Sequence, residues 1–137
     1  MARDLHNEIA VRRAIDPQSI STNVATVSSI IDRLGFESLE VIIASGTIAS
    51  GTAVFTTTID HGESPTLADA AAVPADQLLG TPAGASFTFA SPSSQFRIGY
   101  IGGKRFVRLT ITTTSNAAAA LLTALAVLTD PAKVPTP

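Results

Sequence analysis

The sequence predicts an all-β protein, an antiparallel sandwich or barrel, from three features. Apolar and polar residues alternate over several short segments, which is the period of half-buried strands. These segments are rich in Val, Ile, Thr and Phe, the residues that favour strands. Turn-forming residues separate them at short intervals. With 137 residues, the chain has the usual size of one domain around one hydrophobic core.

Two segments, 36–45 and 52–60, show the alternation most clearly, and Ser50-Gly51 between them is typical of a turn. The first reads FESLEVIIAS and the second TAVFTTTID. In the first, Leu39, Val41 and Ile43 share one face, while Ser38 and Glu40 share the other. In the second, Ala53, Phe55, Thr57 and Ile59 alternate with Val54, Thr56, Thr58 and Asp60. Both segments are therefore predicted to be half-buried strands.

The Ala-rich run 117–128, AAAALLTALAVL, is ambiguous. Ala and Leu have high intrinsic helix propensity. However, no charged residue marks a solvent-facing stripe, and the flanking TTTSN and TDP are typical of strands and turns. We therefore favour a buried strand over a helix.

The domain is predicted to span 24–130, with an extended arm at 1–23 and a proline-rich extended tail at 131–137. The arm mixes charges without a clear period. A short helix over 5–14 is possible, and Asp16-Pro17 would close it because proline disfavours a helical residue before it. The arm is either a loose terminus or a segment that becomes ordered on a neighbouring subunit.

The segment 96–113, FRIGYIGGKRFVRLTITT, suggests a β-hairpin with Gly102-Gly103 as its turn. In that register Arg97 lies opposite Arg108. The core face then carries Phe96, Ile98, Val107, Leu109 and Ile111. The outer face carries Arg97, Arg108, Phe106 and Thr110, and Phe106 is able to cover the backbone of Gly99.

Like charges opposite each other destabilise a sheet, so this hairpin requires a source of negative charge. Nearby carboxylates are one source, with Glu37, Glu40 or Asp32 as suppliers. The other is an acidic partner surface, because the planar guanidinium of arginine binds carboxylates well.

The composition of the chain argues against several classes of function. The net charge is −2, which argues against non-specific nucleic-acid binding, and the absence of cysteine excludes disulfides and thiolate metal sites. No segment is predicted to cross a membrane or to direct secretion. Charged residues are 15% of the chain and hydrophobic residues 45%, which hints that a partner covers part of the surface.

Catalytic motifs are lacking, so we expect no enzyme and no cofactor. His6 lies in the predicted arm. His61 lies beside Asp60 and Glu63, but DHGES is ordinary turn composition and supplies few metal ligands.

The order of four segments resembles a family of small structural proteins encoded among the head genes of tailed bacteriophages. The segments are IDRLGFESLEVIIASGTI, GTAVFTTTIDHGES, PADQLLGT and FRIGYIGGKRFVRLTITTT, and the resemblance covers roughly residues 30–130. It implies a virion component, and proteins of this size and β character are often capsid decoration, or cement, proteins. Such proteins are assembled in the host cytoplasm, bind the exterior of a shell made by the major capsid protein, and are commonly trimers.

We therefore expect a jelly-roll-like antiparallel β-sandwich, a trimer, that stabilises a phage capsid. Its expected interface residues are Arg97, Lys104, Arg108, Phe106, Arg12 and Arg13. The alternatives are a head–tail connector or tail component, a glycan-binding module displayed on the virion, and a metal-dependent enzyme using Asp60, His61 and Glu63. The lack of Trp and the single Tyr speak against the glycan-binding module.

Overall fold

A computed structural model describes residues 4–132 and shows strands joined by turns, with one 3-10 turn at Ala75–Gln77. The longer strands are β1 (Ala10–Ile20), β4 (Phe36–Ile48), β5 (Val54–Gly62), β9 (Gln95–Tyr100), β10 (Phe106–Thr114) and β11 (Ala120–Pro131). The short ones are β2 (Ala25–Val27), β3 (Ile31–Asp32), β6 (Ala71–Ala72), β7 (Leu78–Leu79) and β8 (Phe87–Thr88).

The strands form two antiparallel sheets with jelly-roll connectivity. The first sheet has the order β1-β11-β4-β9-β7 and the second β2-β10-β5-β6, while β3 also pairs with β10 and β8 with β5. If the short β3, β7 and β8 are left out, the remaining strands taken in chain order run 1-8-3-6 in one sheet and 2-7-4-5 in the other. This is the double Greek-key order of a jelly roll, so the predicted fold class is confirmed.

Alternation along the strands builds the core between the sheets. In β4 and around β5, one set of alternating residues is buried, with exposures of 4% or less: Leu39, Val41, Ile43, Ala53, Phe55, Thr57 and Ile59. Three phenylalanines add a stack across the core: the ring of Phe87 lies 4.6 Å from that of Phe55 and 5.0 Å from that of Phe96. Burial of this size is the main source of stability for such a sandwich.

The ambiguous Ala-rich run is strand β11, as the sequence analysis favoured. Ala120, Leu122, Ala124, Ala126 and Leu128 point into the core, while the residues between them face outward. The strand lies between β1 and β4 and pairs with both. Hydrogen bonding to two neighbours and burial of one face outweigh the helix propensity of alanine.

The predicted hairpin is wrong. Strand β9 pairs with β4 and β7 in the first sheet, and β10 pairs with β2, β3 and β5 in the second. Residues 101–105, which we call the crossing loop, therefore pass from one sheet to the other. As a result, Arg97 and Arg108 lie on different sheets. Ile98, Val107 and Leu109 are buried as predicted, but they come from two facing sheets rather than from neighbouring strands.

Part of the predicted N-terminal arm belongs to the sandwich. Residues 10–20 form β1, the edge strand of the first sheet, so the sheet begins before the domain boundary predicted at residue 24. Pro17 lies where the pairing with β11 shifts register, between Ile15 and Gln18, because an edge strand tolerates proline at an irregularity. Residues 1–3 of the predicted arm and 133–137 of the predicted tail lie outside the described part.

Candidate interaction surfaces

The expected interface residues are spread over the molecule. Arg13 and Arg97 lie on the outer face of the first sheet, in one cross-strand row through Leu125 and Ile42. Arg12 is exposed on the edge strand β1, and Lys104 is exposed in the crossing loop. Phe106 is buried, and Arg108 is half-buried on the second sheet. The structure therefore does not bring these residues together into one basic patch.

A carboxylate within the chain accompanies Arg108. The residue pairs in register with Asp60 on β5, and its guanidinium lies 3.8 Å from the Asp60 carboxylate. The Nε atom of Arg108 is buried and makes no hydrogen bond within the described residues. The expected supplier Asp32 binds Arg105 instead, with two hydrogen bonds of 2.8 Å. That bidentate contact lowers the pKa of Asp32.

Phe106 does not cover Gly99, contrary to the hairpin prediction. It is 6% exposed, and the guanidinium of Arg105 lies 4.8 Å from the centre of its ring. Gly99 is instead covered by the side chains of Glu40 and Leu79, which a Cβ at this position would meet at 2.7 and 3.0 Å. The correction follows from the pairing of β9 with β4, which places Glu40 opposite Gly99.

Arg97 has a free guanidinium. Among residues 4–132 it makes no hydrogen bond and no ion pair within 4 Å, although it lies on the same face as Glu40. Both side chains line one shallow depression together with Leu79 and Gly80. Burial raises the pKa of the Glu40 carboxyl, and the positive charge of Arg97 partly offsets this rise.

The crossing loop is held by Arg33, a buried arginine that the sequence analysis did not identify. Its guanidinium donates hydrogen bonds to the carbonyl oxygens of Lys104 (2.6 and 2.9 Å), Gly102 (2.9 Å) and Glu37 (3.3 Å). It also lies 4.9 Å from the centre of the Tyr100 ring. One side chain thus supplies hydrogen-bond donors to the carbonyl groups of Gly102 and Lys104 in the crossing loop, as buried backbone polar groups require.

A second buried network supports the same loop. The hydroxyl of Tyr100 lies 2.7 Å from Nδ1 of His61 and accepts the backbone N–H of Lys104 at 3.1 Å. Burial lowers the pKa of His61, and the nearby charges of Lys104 and Arg33 lower it further, while Asp60 and Asp69 oppose the shift. Burial also raises the pKa of Tyr100. Neutral His61 and the Tyr100 hydroxyl thus share one hydrogen bond, whose direction is set by the tautomer of His61, while the tyrosine oxygen also accepts a hydrogen bond from the backbone N–H of Lys104.

The sequence could not identify this network, because His61, Tyr100 and Arg33 are far apart along the chain and meet only in the fold. A weak signal was available: Arg33 lies in the short apolar segment IIDRLG, and a buried arginine requires hydrogen-bond partners.

Within 4–132, no three side chains of His, Asp or Glu are grouped so as to hold a metal ion. Over the same range, no helix has the length and apolar character needed to cross a membrane.

Comparison with known proteins identifies the fold. No protein-family model matches the sequence, and no curated protein is significantly similar to it. Among solved structures, the SPBc2 prophage-derived protein YomS superimposes with a TM-score of 0.50 at 11% identity, over 88% of this chain and 93% of YomS. A chain from the capsid of Ralstonia phage GP4 gives 0.50 at 10% identity, over 94% and 88%. The Clostridium thermocellum xylanase Xyn10B, with CBM22-1 and GH10 modules, gives 0.47 at 10%, over 88% and 24%.

Proposed function

We propose that this protein is a structural component of a tailed-phage virion, without enzymatic activity, and that it acts as a decoration protein on the exterior of the capsid. Its partner is the major capsid protein, and assembly takes place in the host cytoplasm. Two kinds of likeness support the proposal. The order of sequence segments resembles phage head proteins, and the jelly roll is shared with a prophage protein and with a chain from a phage capsid. The latter likeness concerns the fold alone.

The observation that carries the proposal is the way the crossing loop is held. Arg33 binds its carbonyl groups, and the Tyr100 hydroxyl binds its backbone N–H. Ile101 is anchored as well, since its N–H donates to the carbonyl of Gln77 at 2.9 Å. The loop is therefore ordered before any partner binds, and this lowers the entropic cost of association.

The loop presents two groups that suit a protein partner. Ile101 is 52% exposed, although its backbone is anchored. The ammonium group of Lys104 is exposed and makes no hydrogen bond or ion pair within the described residues. An apolar side chain next to an unpaired cation fits a shell surface with a carboxylate beside an apolar contact, because each group gains a partner on binding.

Binding to capsid shells tests the proposal. Shells purified from a phage mutant that lacks this gene are incubated with the purified protein, pelleted, and assayed for bound protein. We expect Lys104→Glu to weaken binding at least about tenfold, because it replaces an attraction by a repulsion at the contact.

The matched control is Arg12→Glu, which makes the same charge change on the exposed edge strand, away from the crossing loop. It should bind nearly as the wild type does. Equal losses for the two variants would mean general electrostatic attraction rather than a specific contact and would contradict the proposed site. If the wild type does not bind shells at all, the decoration role itself is wrong.

Copy number separates this role from the connector and tail alternatives. A decoration protein occurs once for every few capsid subunits, whereas a connector or tail ring occupies one axis of the virion. Quantitative mass spectrometry of purified virions measures the ratio to the major capsid protein. One copy for every few copies of the major capsid protein supports the proposal, and a number of copies that fills only a single ring contradicts it. The trimeric state implied by the sequence resemblance stays a prediction.

A further inference from the structure

The outer face of the first sheet is an apolar surface with little charge. Cross-strand pairing sets Val11 beside Val127, and Leu125 beside both Arg13 and Ile42. Several of its large apolar side chains are well exposed: Val11 (50%), Ile42 (37%), Leu79 (56%), Leu121 (46%) and Leu125 (40%). Several exposed large apolar side chains on one face of a folded protein indicate an interaction site.

The face is large enough for a stable interface. The first sheet has five strands, and its strand β4 has 13 residues. Its strands have 11, 12, 13, 6 and 2 residues in sheet order, so that about 4.8 Å between strands and about 3.3 Å per residue give a footprint of roughly 700 Å². A standard interface buries about 800 Å² on each partner. The outer face of the second sheet is narrower, because β2 and β6 have only 3 and 2 residues.

The charges of this face are balanced. Arg13 forms an ion pair of 2.9 Å with Asp16. Arg97 and Glu40 lie in adjacent rows, since Arg97 pairs with Ile42 and Glu40 with Gly99. They line one depression, yet they make no ion pair within 4 Å among residues 4–132. One unpaired cation and one unpaired anion thus lie side by side.

Such an arrangement is complementary to itself. A two-fold axis brings the same surface of two subunits together, so that residue i of one contacts residue j of the other and the reverse contact also forms. A face with a net charge would repel its own copy, whereas this face has its opposite charges balanced. An acidic shell surface would instead be repelled by Glu40.

We infer that a second copy of this chain covers the outer face of the first sheet in a two-fold dimer. The guanidinium of Arg97 donates hydrogen bonds to the carboxylate of Glu40 of the partner subunit, and the reciprocal contact forms on the other side of the axis. Ile42 and Leu125 pack between these two ion pairs and exclude water from them.

A charge exchange tests the dimer with the purified protein alone. Sedimentation equilibrium should give a dimer for the wild type. Arg97→Glu and Glu40→Arg should each raise the dimer dissociation constant at least about tenfold, because each places like charges together. The double variant restores both ion pairs and should return to within about threefold of the wild-type constant.

Two further variants test the apolar centre of the face and provide a control outside it. Leu125→Glu should also weaken the dimer at least about tenfold, because it places charge in the apolar centre. Lys104→Glu changes an exposed cation outside the face and should leave the dissociation constant unchanged. The sequence resemblance implies a trimer instead, and a monomeric or trimeric wild type overturns the inference. So does a folded double variant that associates no better than the single variants. Failure of shell binding, in contrast, would overturn only the decoration role.

Discussion

Replacing Tyr100 by Phe tests whether the hydroxyl of Tyr100 stabilises the crossing loop. The change removes one oxygen and leaves the ring, which is 1% exposed. Two groups then lose their partner: Nδ1 of His61, which lies 2.7 Å away, and the N–H of Lys104, which lies 3.1 Å away. Leaving a buried polar group without a hydrogen bond costs about 1–3 kcal/mol.

The expected loss is about 2–3 kcal/mol in the free energy of unfolding. His61 is 7% exposed, so its nitrogen bears the full cost. Lys104 is an exposed residue, so water replaces part of its lost hydrogen bond. Urea unfolding near pH 7.5 measures the change, which should shift the midpoint and leave the m-value unaltered.

The control is Thr113→Val, which also removes one buried hydroxyl. The Thr113 oxygen has no hydrogen-bond partner within the described residues, and the residue is 1% exposed. Removal of an unsatisfied polar group at nearly constant shape should be neutral or stabilising. The reasoning is refuted if Tyr100→Phe costs less than about 0.5 kcal/mol, or no more than the control.

Three further changes test the contributions of His61, Gly102 and Phe87 to stability. His61 has a lowered pKa in the folded state, so the unfolded chain binds more protons than the folded chain as the pH falls through about 6.5. The free energy of unfolding should therefore decrease on acidification by up to about 1.4 kcal/mol per pH unit. In urea titrations between about pH 5 and pH 7.5, His61→Gln should flatten this slope. Gly102→Ala should clearly lower the midpoint of thermal unfolding, because its Cβ would collide with the side chains of Gln77 and Tyr100. Gly103→Ala is the control and should change the midpoint little, because the space around Gly103 is open. Similar midpoints for the two variants would show that the crossing loop is not tightly held. Phe87→Ala should cost about 3–5 kcal/mol in urea unfolding, because it removes the middle ring of the aromatic stack; a loss below about 1.5 kcal/mol would mean that the rings contribute little.

The buried face of β4 could be predicted from the sequence, because alternation depends on local spacing. Leu39, Val41 and Ile43 point inward, as their period requires. The same reasoning supported a strand for the Ala-rich run, where the absence of a charged stripe outweighed helix propensity. These predictions need no information about which strands are neighbours.

Strand partners were harder to predict, as the segment around Gly102 shows. Burial of Ile98 and Val107 is satisfied either by a hairpin or by two strands that face each other across the core. Paired glycines are typical of a turn, but Gly102 is buried. Its missing side chain leaves room for the Tyr100 ring. The sequence does not distinguish these uses of glycine, because both depend on contacts that are distant along the chain.

The residues of the candidate sites could also be predicted only in part. The sequence analysis named Lys104 and Arg97 as expected interface residues, and the structure shows both exposed and without ion pairs in the described chain. It did not show that Arg108 lies beside Asp60 or that Arg33 holds the crossing loop. Both contacts arise from strand order, which single-residue patterns do not encode.

A cryo-electron microscopy reconstruction of the virion that carries this protein tests the decoration role most directly. We expect the jelly roll on the outer surface of the shell, with Ile101 and Lys104 against the major capsid protein and a capsid carboxylate near the Lys104 ammonium. Density for the jelly roll only in the tail or connector, or a shell-bound jelly roll whose crossing loop faces solvent, would contradict the account.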